Sequence, residues 1–424
     1  MQRIILMLAL VVAGELIFGI PFNVPRFFRP TMLEVFGITN TQLGDMFAIY
    51  GITAMLAYFP GGTLADHFSA RSLIAASLFA TAIGGFYMAT IPGETAMTFL
   101  YGYWGLTTIF LFWGALIRAT REWGGEHSQG VAFGILDGGR GLVAASVAAV
   151  GVTILSIYLP ENARLATPEE REAGFKSVIW LYCVLTIAAG IFAWFAIPES
   201  KKGTDVEFNP LKGMATVLRR PIIWAQAAII VCAYCGYKGL DNYSLYAVQV
   251  LGLDEVEGAR LASYGAWTRP LAAVCAGIVA DRFNVIRSIT TMFVVLSVLF
   301  ASWSMLAPEG SGLALIYANF FMTYIFVYAL RGIYFALLEE SQTPKHLTGA
   351  AVGMISLVGY TPDVFFAPIA GRILDANPGL VGHQNYFMFL ASIAAVGLLA
   401  VGWLVWLRRR GGAGLWQAAD SELK

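Results

Sequence analysis

Two cationic side chains interrupt long apolar stretches of this sequence, at positions where an isolated charge is costly. Lys238 follows the uncharged run 221–233, and Arg26 lies 22 residues after the first apolar run begins at residue 4. The two cations are 212 residues apart, which is half of the 424-residue chain. A lysine inside a membrane-spanning segment costs several kcal/mol unless it faces water or a partner. We therefore predict that both charges face one aqueous cavity, where they bind an anion. The alternative for Arg26 is that its side chain only extends to the outer membrane interface beside Arg29.

Polar and small residues around Lys238 bear on what that charge can do. Asp241 lies three residues later, a spacing that brings helical side chains together. It is expected either to pair with Lys238 or to handle a proton or the substrate directly. Tyr237 could offer a hydroxyl group to a polar solute, or it could simply pack. Gly236 and Gly239 would allow the helix to loosen locally, as broken carrier helices do.

Other charges also fall within apolar runs. Glu15, in the middle of the first run, could carry a coupling proton or neutralise a buried cation. In the segment 116–141, we expect Asp137 to pair with Arg118 or Arg140, because buried charges persist when they are paired. Such a network would be structural or would gate the cavity, and direct contact with the substrate is the alternative.

Three further charges, Arg269, Arg331 and Asp363, are predicted at membrane depth. Arg331 lies 213 residues after Arg118, which suggests roles related by an internal repeat. We expect one of the three to line the cavity, and the spacing alone does not say which.

The composition places these residues in membrane helices. The chain is 58% hydrophobic and 13% charged, against about 25% charged residues in soluble domains, and its mean hydropathy is +0.68. Apolar runs of about 20 residues match the thickness of a bilayer core. Twelve spans are predicted, at 4–28, 41–64, 72–91, 96–118, 130–158, 176–197, 221–250, 258–280, 288–307, 312–338, 349–373 and 384–407.

Charge and residue types exclude several function classes. A net charge of zero argues against a nucleic-acid partner, which requires a basic face. The four cysteines lie in apolar runs and the four histidines lie at the ends of segments. Neither pattern predicts a metal site or a cofactor, and no cluster typical of a membrane enzyme is present.

The chain divides into two similar halves. We predict a six-helix bundle at 1–197, a cytoplasmic linker at 198–220, a second bundle at 221–407 and a cytoplasmic tail at 408–424. With both termini in the cytoplasm, sixteen lysines and arginines fall on that side and seven fall outside, which supports this orientation. Such paired halves suit a carrier whose bundles rock about a central site.

One loop motif occurs in both halves at matching spans. It reads Gly62, Asp66, His67 and Arg71 in the first half, and Gly277, Asp281, Arg282 and Arg287 in the second. Glycine permits close helix approach, and the aspartate can cap the next helix while the basic residues remain in the cytoplasm. The paired motif resembles the loop signature of the major facilitator superfamily over roughly residues 1–407. The resemblance implies twelve helices and secondary transport by alternating access, without ATP.

Within that superfamily, Arg26 and Lys238 resemble a pair of basic residues in the organophosphate:phosphate antiporter branch. There, one cation on the first helix and one on the seventh hold the substrate's phosphate, and the sequence KGLD at 238–241 is similar to that branch. This sequence has lysine where the branch prefers arginine, and lacks the branch's histidine on helix five. The ammonium group of lysine is a point charge, whereas the guanidinium of arginine can donate two parallel hydrogen bonds to a phosphate. Sulfonates and carboxylates therefore remain possible substrates beside phosphates.

The sequence thus predicts an all-α membrane protein with two pseudo-symmetric six-helix bundles. Its predicted function is secondary active transport of a small organic anion, phosphorylated, sulfonated or carboxylated, by antiport or proton symport. The predicted partners are that anion, the bilayer, and protons or a counter-anion. A monomer in the plasma (inner) membrane is expected. The predicted gating and charge network comprises Gly62, Asp66, Arg71, Arg118, Asp137, Arg140, Gly277, Asp281, Arg282 and Arg331.

Two alternative functions remain compatible with the sequence. One is a proton-coupled exporter of lipophilic compounds, for which Glu15 is the carboxylate candidate of the first half. The excess of buried cations argues against it. The other is a membrane sensor of the same fold that binds its ligand without transporting it.

Overall fold

The structure is a computed structural model, and it describes residues 2–125, 129–199, 216–308, 312–337 and 348–411. Within these ranges the chain is helical and forms no strand. Most of the predicted linker and nearly all of the predicted tail lie outside the described residues.

The described helices form twelve consecutive passages, numbered here α1 to α12. The first half contains α1 (Gln2–Leu16, Gly19–Asn23, Val24–Phe27 and Arg29–Phe36), α2 (Asn40–His67), α3 (Ala70–Met88), α4 (Glu94–Gly105, Leu106–Trp113 and Gly114–Gly124), α5 (Gln129–Tyr158) and α6 (Pro168–Ala196). The second contains α7 (Pro221–Gly239, Leu240–Asn242 and Tyr243–Gln249), α8 (Glu255–Ala266 and Arg269–Phe283), α9 (Val285–Trp303), α10 (Leu313–Ile333 and Tyr334–Ala336), α11 (Thr348–Gly359 and Pro362–Ala376) and α12 (Leu380–Gly411).

Length and hydropathy qualify most of these passages as membrane-crossing. Among the described residues, nine helices meet both criteria, and the two pieces of α1, which bend by 43°, make a tenth when taken together. The passages that fall short are α2 and α8. Both contribute to the interface between the halves, and each carries polar residues there.

Local sequence explains where several helices begin. Reciprocal capping boxes, in which side chains satisfy free backbone N–H groups, open α2, α6 and α8 at Thr39–Gln42, Thr167–Glu170 and Asp254–Glu257. All three caps lie at the end of the bundle opposite the chain termini.

Both predicted cations lie beside irregular turns. In α1, a π-helical turn at Gly19–Asn23 precedes the short helix Val24–Phe27, which carries Arg26. In α7, the α-helix ends at Gly239 and continues as a 3₁₀ turn at Leu240–Asn242. A 3₁₀ turn is tighter than an α-helical turn, and Gly239 keeps helical backbone angles. The expected loosening of α7 around Lys238 is therefore wrong for this structure. These turns interrupt the regular helical spacing and allow the two helices to approach each other.

The two halves pack closely at the end opposite the termini. A Cβ atom on Gly44 of α2 would overlap the carbonyl oxygen of Ala367 on α11, and one on Gly51 would lie 2.7 Å from the Asp363 carbonyl oxygen. An ion pair between Arg372 and Asp45, at 2.8 Å, lies at the same end. Only glycine allows the two backbones to approach this closely.

Glycines near the end that carries the termini show no comparable close packing. A Cβ atom added to Gly62 of α2, Gly134 of α5, Gly277 of α8 or Gly353 of α11 would have no described atom within 4 Å beyond its immediate chain neighbours. Membrane orientation remains a prediction from the distribution of basic residues.

The repeated loop motif is described in part. Gly62 and Gly277 lie near the ends of α2 and α8, as do the backbones of Asp66 and Asp281, while the side chains of these two aspartates lie outside the described structure. Arg71 pairs with Glu199 at 3.1 Å and lies over the Trp194 ring. The side chain of Arg282 lies near the Phe283 ring, 5.8 Å from its centroid.

We expect Gly44→Ala to lower the free energy of unfolding by about 1–3 kcal/mol, because the added methyl group forces α2 and α11 apart. Thermal unfolding of the detergent-purified protein measures this effect. Gly402→Ala is the matched control, because Gly402 on α12 has open space around its Cβ position. Equal melting temperatures for the two variants would contradict the close packing of α2 on α11.

Candidate functional site

A central cavity lies between the two halves and brings together six of the predicted site residues: Glu15, Arg26, Arg140, Tyr237, Lys238 and Arg331. Its volume is about 830 Å³, including space continuous with solvent. Twenty residues line it: Glu15, Phe18, Phe22, Asn23, Arg26, Tyr50, Gly51, Ala54, Met55, Tyr58, Ile109, Trp113, Arg140, Tyr234, Tyr237, Lys238, Arg331, Leu357, Tyr360 and Asp363.

Arg26 is held by the opposite half of the molecule. Its Nε donates to Oδ1 of Asp241 at 2.5 Å, and its Nη1 donates to the Tyr237 hydroxyl at 2.8 Å. The hydroxyl of Ser244 donates to the Arg26 carbonyl oxygen at 2.9 Å. The turn in α1 and the turn in α7 are thus joined by a buried ion pair. Arg26 fixes α1 against α7 in this structure, in addition to lining the cavity.

Lys238 lies between two carboxylates. Its Nζ is 3.5 Å from Oδ2 of Asp241 and 3.3 Å from Oδ1 of Asp363, and the Tyr234 hydroxyl donates to both oxygens of Asp363 at 3.1 and 3.2 Å. The predicted pairing of Asp241 with Lys238 is present, but the shorter contact of Asp241 is with Arg26. Two cations and two carboxylates therefore balance in this part of the cavity.

A second balanced group joins α1 and α5 to α8. Glu15 lies 3.3 Å from Nε of Arg140 and 3.8 Å from Nη1 of Arg269, and it accepts a hydrogen bond from Asn23. Arg269 also donates to Asp137 at 2.7 Å. The expected partners of Asp137 were Arg118 or Arg140, and this expectation is wrong. Arg140 pairs with Glu15, and the α8 residue Arg269 reaches Asp137 across the interface.

Arg118 lies away from the cavity. It donates to the backbone carbonyl groups of Ala65 and Phe68 at the end of α2, and it lies 3.5 Å from Glu122. Its predicted repeat-related counterpart, Arg331, lines the cavity instead. Matching positions in the two halves therefore have different surroundings.

Arg331 differs from the other cations of the cavity. Its guanidinium lies 3.9 Å from the Tyr237 ring centroid and 5.7 Å from that of Tyr234. Its Nη1 is buried and has no hydrogen-bond partner among the described residues. No carboxylate of the described chain lies in ion-pair contact with Arg331, so aromatic faces support its charge without neutralising it.

The charges of the cavity and of its ion-pair partners leave an excess. The described groups comprise five cations, Arg26, Arg140, Lys238, Arg269 and Arg331, and four carboxylates, Glu15, Asp137, Asp241 and Asp363. With every group ionised, one positive charge remains unbalanced. Geometry assigns this charge to Arg331, because the other four cations each contact a carboxylate.

Several of the residues that line the cavity were not singled out in the sequence. Asn23, Tyr50, Tyr58 and Trp113 carry no signal that distinguishes them from packed residues of a spanning helix. Of the three charges whose position the sequence left open, Arg331 and Asp363 line the cavity, and Arg269 lies behind it. No group of residues capable of holding a metal ion occurs in the described part of the chain.

Comparison with known proteins places these features in context. The sequence profile of the Major Facilitator Superfamily matches residues 11–367. The inner membrane protein YqcE of Escherichia coli (strain K12) is 28% identical over 384 residues, which are 87% of each chain. The probable nitrate/nitrite antiporter NarK1 of Thermus thermophilus is 25% identical over 92% of this chain and 87% of its own.

A solved structure shows the same fold. The crystal structure of the nucleoside transporter NupG, determined on a point mutant, matches with a TM-score of 0.74 over 95% of this chain and 100% of its own. Their sequences are 13% identical, so the similarity concerns the fold alone.

We expect Asp241→Asn to destabilise the protein by about 3 kcal/mol, because it leaves Arg26 and Lys238 buried with one fewer balancing charge. Thermal and chemical unfolding in detergent measure the loss. Asp45→Asn is the control, since its ion pair with Arg372 is half exposed and is worth less than about 1 kcal/mol. An Asp241→Asn variant as stable as the control would contradict the inferred role of this ion pair.

Proposed function

We propose that this chain, which belongs to the Major Facilitator Superfamily, carries a small organic anion across the membrane through the cavity between its halves. The family match confirms the predicted fold class, and it identifies the protein as a membrane transporter rather than an enzyme. The single observation that carries the anion assignment is the unbalanced positive charge at Arg331.

The charge balance supports a substrate with one net negative charge. A buried cation is costly unless it is compensated, and a bound monoanion would compensate Arg331. Lys238 provides a second positive charge beside the same space. Its ion pairs with Asp241 and Asp363 compensate part of that charge. Arg26 contributes to the positive potential while it holds α1 against α7. Tyr237 lies between Arg26 and Arg331 and orients both.

The shape of the interface supports alternating access. The halves pack closely through glycines at the end opposite the termini, so the anion would reach Arg331 from the end that carries the termini. In the opposite state, the packed end would open and the other end would close. Both termini are proposed to lie in the cytoplasm, and the inner membrane is the proposed location, as for the relative YqcE.

Antiport is the mode of coupling that we favour. The relative NarK1 is named a probable antiporter, and exchange of one anion for another keeps Arg331 compensated in each direction. Proton symport would instead use a carboxylate that faces the cavity, either Glu15 or Asp363. Glu15 contacts two arginines, so its negative charge is compensated more fully than that of Asp363.

We expect Arg331→Gln to abolish anion binding and transport without loss of stability, because it removes an uncompensated charge and leaves no carboxylate unpaired. Lys238→Gln should also abolish transport. It should lower stability somewhat, because Asp241 and Asp363 lose the cation that pairs with them. Thermal shift with benzenesulfonate, benzoate and phenyl phosphate measures binding, since a ligand of the native state raises its stability. Counterflow of labelled benzenesulfonate in proteoliposomes measures transport, and separates a carrier from a sensor.

Two controls complete this test. Arg260→Gln removes an exposed arginine of α8 outside the cavity and should behave as the unaltered protein. Neutral benzenesulfonamide should give no thermal shift, whereas an exporter of lipophilic compounds would bind it. Wild-type binding of the anions by Arg331→Gln, or no shift of the unaltered protein with any of the three anions, would overturn the proposal.

A further inference from the structure

We propose that the transported anion carries an apolar ring beside its charged group. This inference rests on the proposed function and adds the chemistry of the substrate's uncharged part. Its basis is the composition of the cavity wall. Eight of the twenty lining residues are aromatic, whereas aromatic residues make up 14% of the chain, so the cavity is far richer in rings than the protein as a whole.

Part of the cavity wall is an aromatic cluster of the first half. Phe18 of α1 packs against Trp113 of α4 and against Phe22, with ring centroids 6.2 and 6.3 Å apart. Ile109 and Met55 also line the cavity. The three rings are half-buried and line the cavity, so parts of their surfaces remain available to a ligand.

Cations lie directly beside this cluster. Lys238 Nζ is 4.3 Å from the Phe22 ring centroid, and Arg140 lies 5.5 Å from that of Phe18. Arg331 also lines the cavity, from the second half. A molecule in the cavity therefore meets aromatic rings and positive charges side by side. A ring with an attached anionic group satisfies both requirements at once.

A small inorganic anion fits this wall less well. Such an ion loses its hydration shell when it enters the cavity. To offset the free energy of this desolvation it requires hydrogen-bond donors on all sides. Phe18, Phe22 and Trp113 offer none toward it from their ring faces. An apolar ring gains free energy from the same surface through burial and ring contacts.

The backbone of α4 supports a specific role for Trp113. Residues Leu106–Trp113 form a π-helix, which ends at Trp113. Irregular turns of this kind change the direction of side chains and occur frequently at functional sites. Ile109 and Trp113, both in this π-helix, line the cavity.

Benzenesulfonate and methanesulfonate test the inference, because they share one charged group and differ in the ring. We expect benzenesulfonate to bind the purified protein about ten-fold more tightly by calorimetry, as burial of a ring predicts. Trp113→Ala should remove most of this preference and change methanesulfonate affinity by less than about two-fold. Trp113→Phe should restore part of the preference, because the phenyl ring keeps part of the ring contact.

Trp403→Ala is the control, because Trp403 is an exposed tryptophan of α12 outside the cavity. It should leave both affinities unchanged. Equal binding of the two sulfonates, together with loss of both in Arg331→Gln, would overturn the ring inference and leave the anion transporter intact. If Arg331→Gln retains both sulfonates, the proposed function itself fails.

Discussion

The pairing of buried charges across the interface is the constraint on which the rest of this structure depends. Asp241 of the second half contacts Arg26 of the first at 2.5 Å and Lys238 of its own half at 3.5 Å. Unpaired charges are costly in an apolar interior, and removing one partner of such a pair is strongly destabilising. Because the partners come from different halves, the requirement for pairing also fixes how α1 lies against α7.

The same principle acts at the group formed by Glu15, Arg140, Arg269 and Asp137. Three of these residues come from the first half, and Arg269 alone connects them to the second. The Asp137 side chain is 34% exposed, whereas that of Arg269 is 4% exposed. This group therefore joins the halves through a buried arginine and a partly exposed carboxylate.

A carrier must hold its substrate without trapping it, and the cavity combines features that suit both needs. Ion pairs compensate most of the charges of the cavity, so one positive charge is left for the proposed anion. Aromatic faces around Arg331 stabilise that charge when no anion is present. A strong carboxylate partner would compete with the substrate, whereas a ring face does not.

The sequence by itself determined the twelve helical passages, the two similar halves and the placement of Arg26 and Lys238 beside one cavity. These features follow from hydropathy and a repeat spacing, which are periodic properties of the chain. Tertiary structure alone decided that Asp137 pairs with Arg269, that Arg118 binds the end of α2, and that Arg331 has no carboxylate in ion-pair contact among the described residues. Pairing across 132 residues, as between Asp137 and Arg269, depends on how each helix is rotated and how closely the halves approach. Neither quantity is encoded in the spacing of residues along one helix.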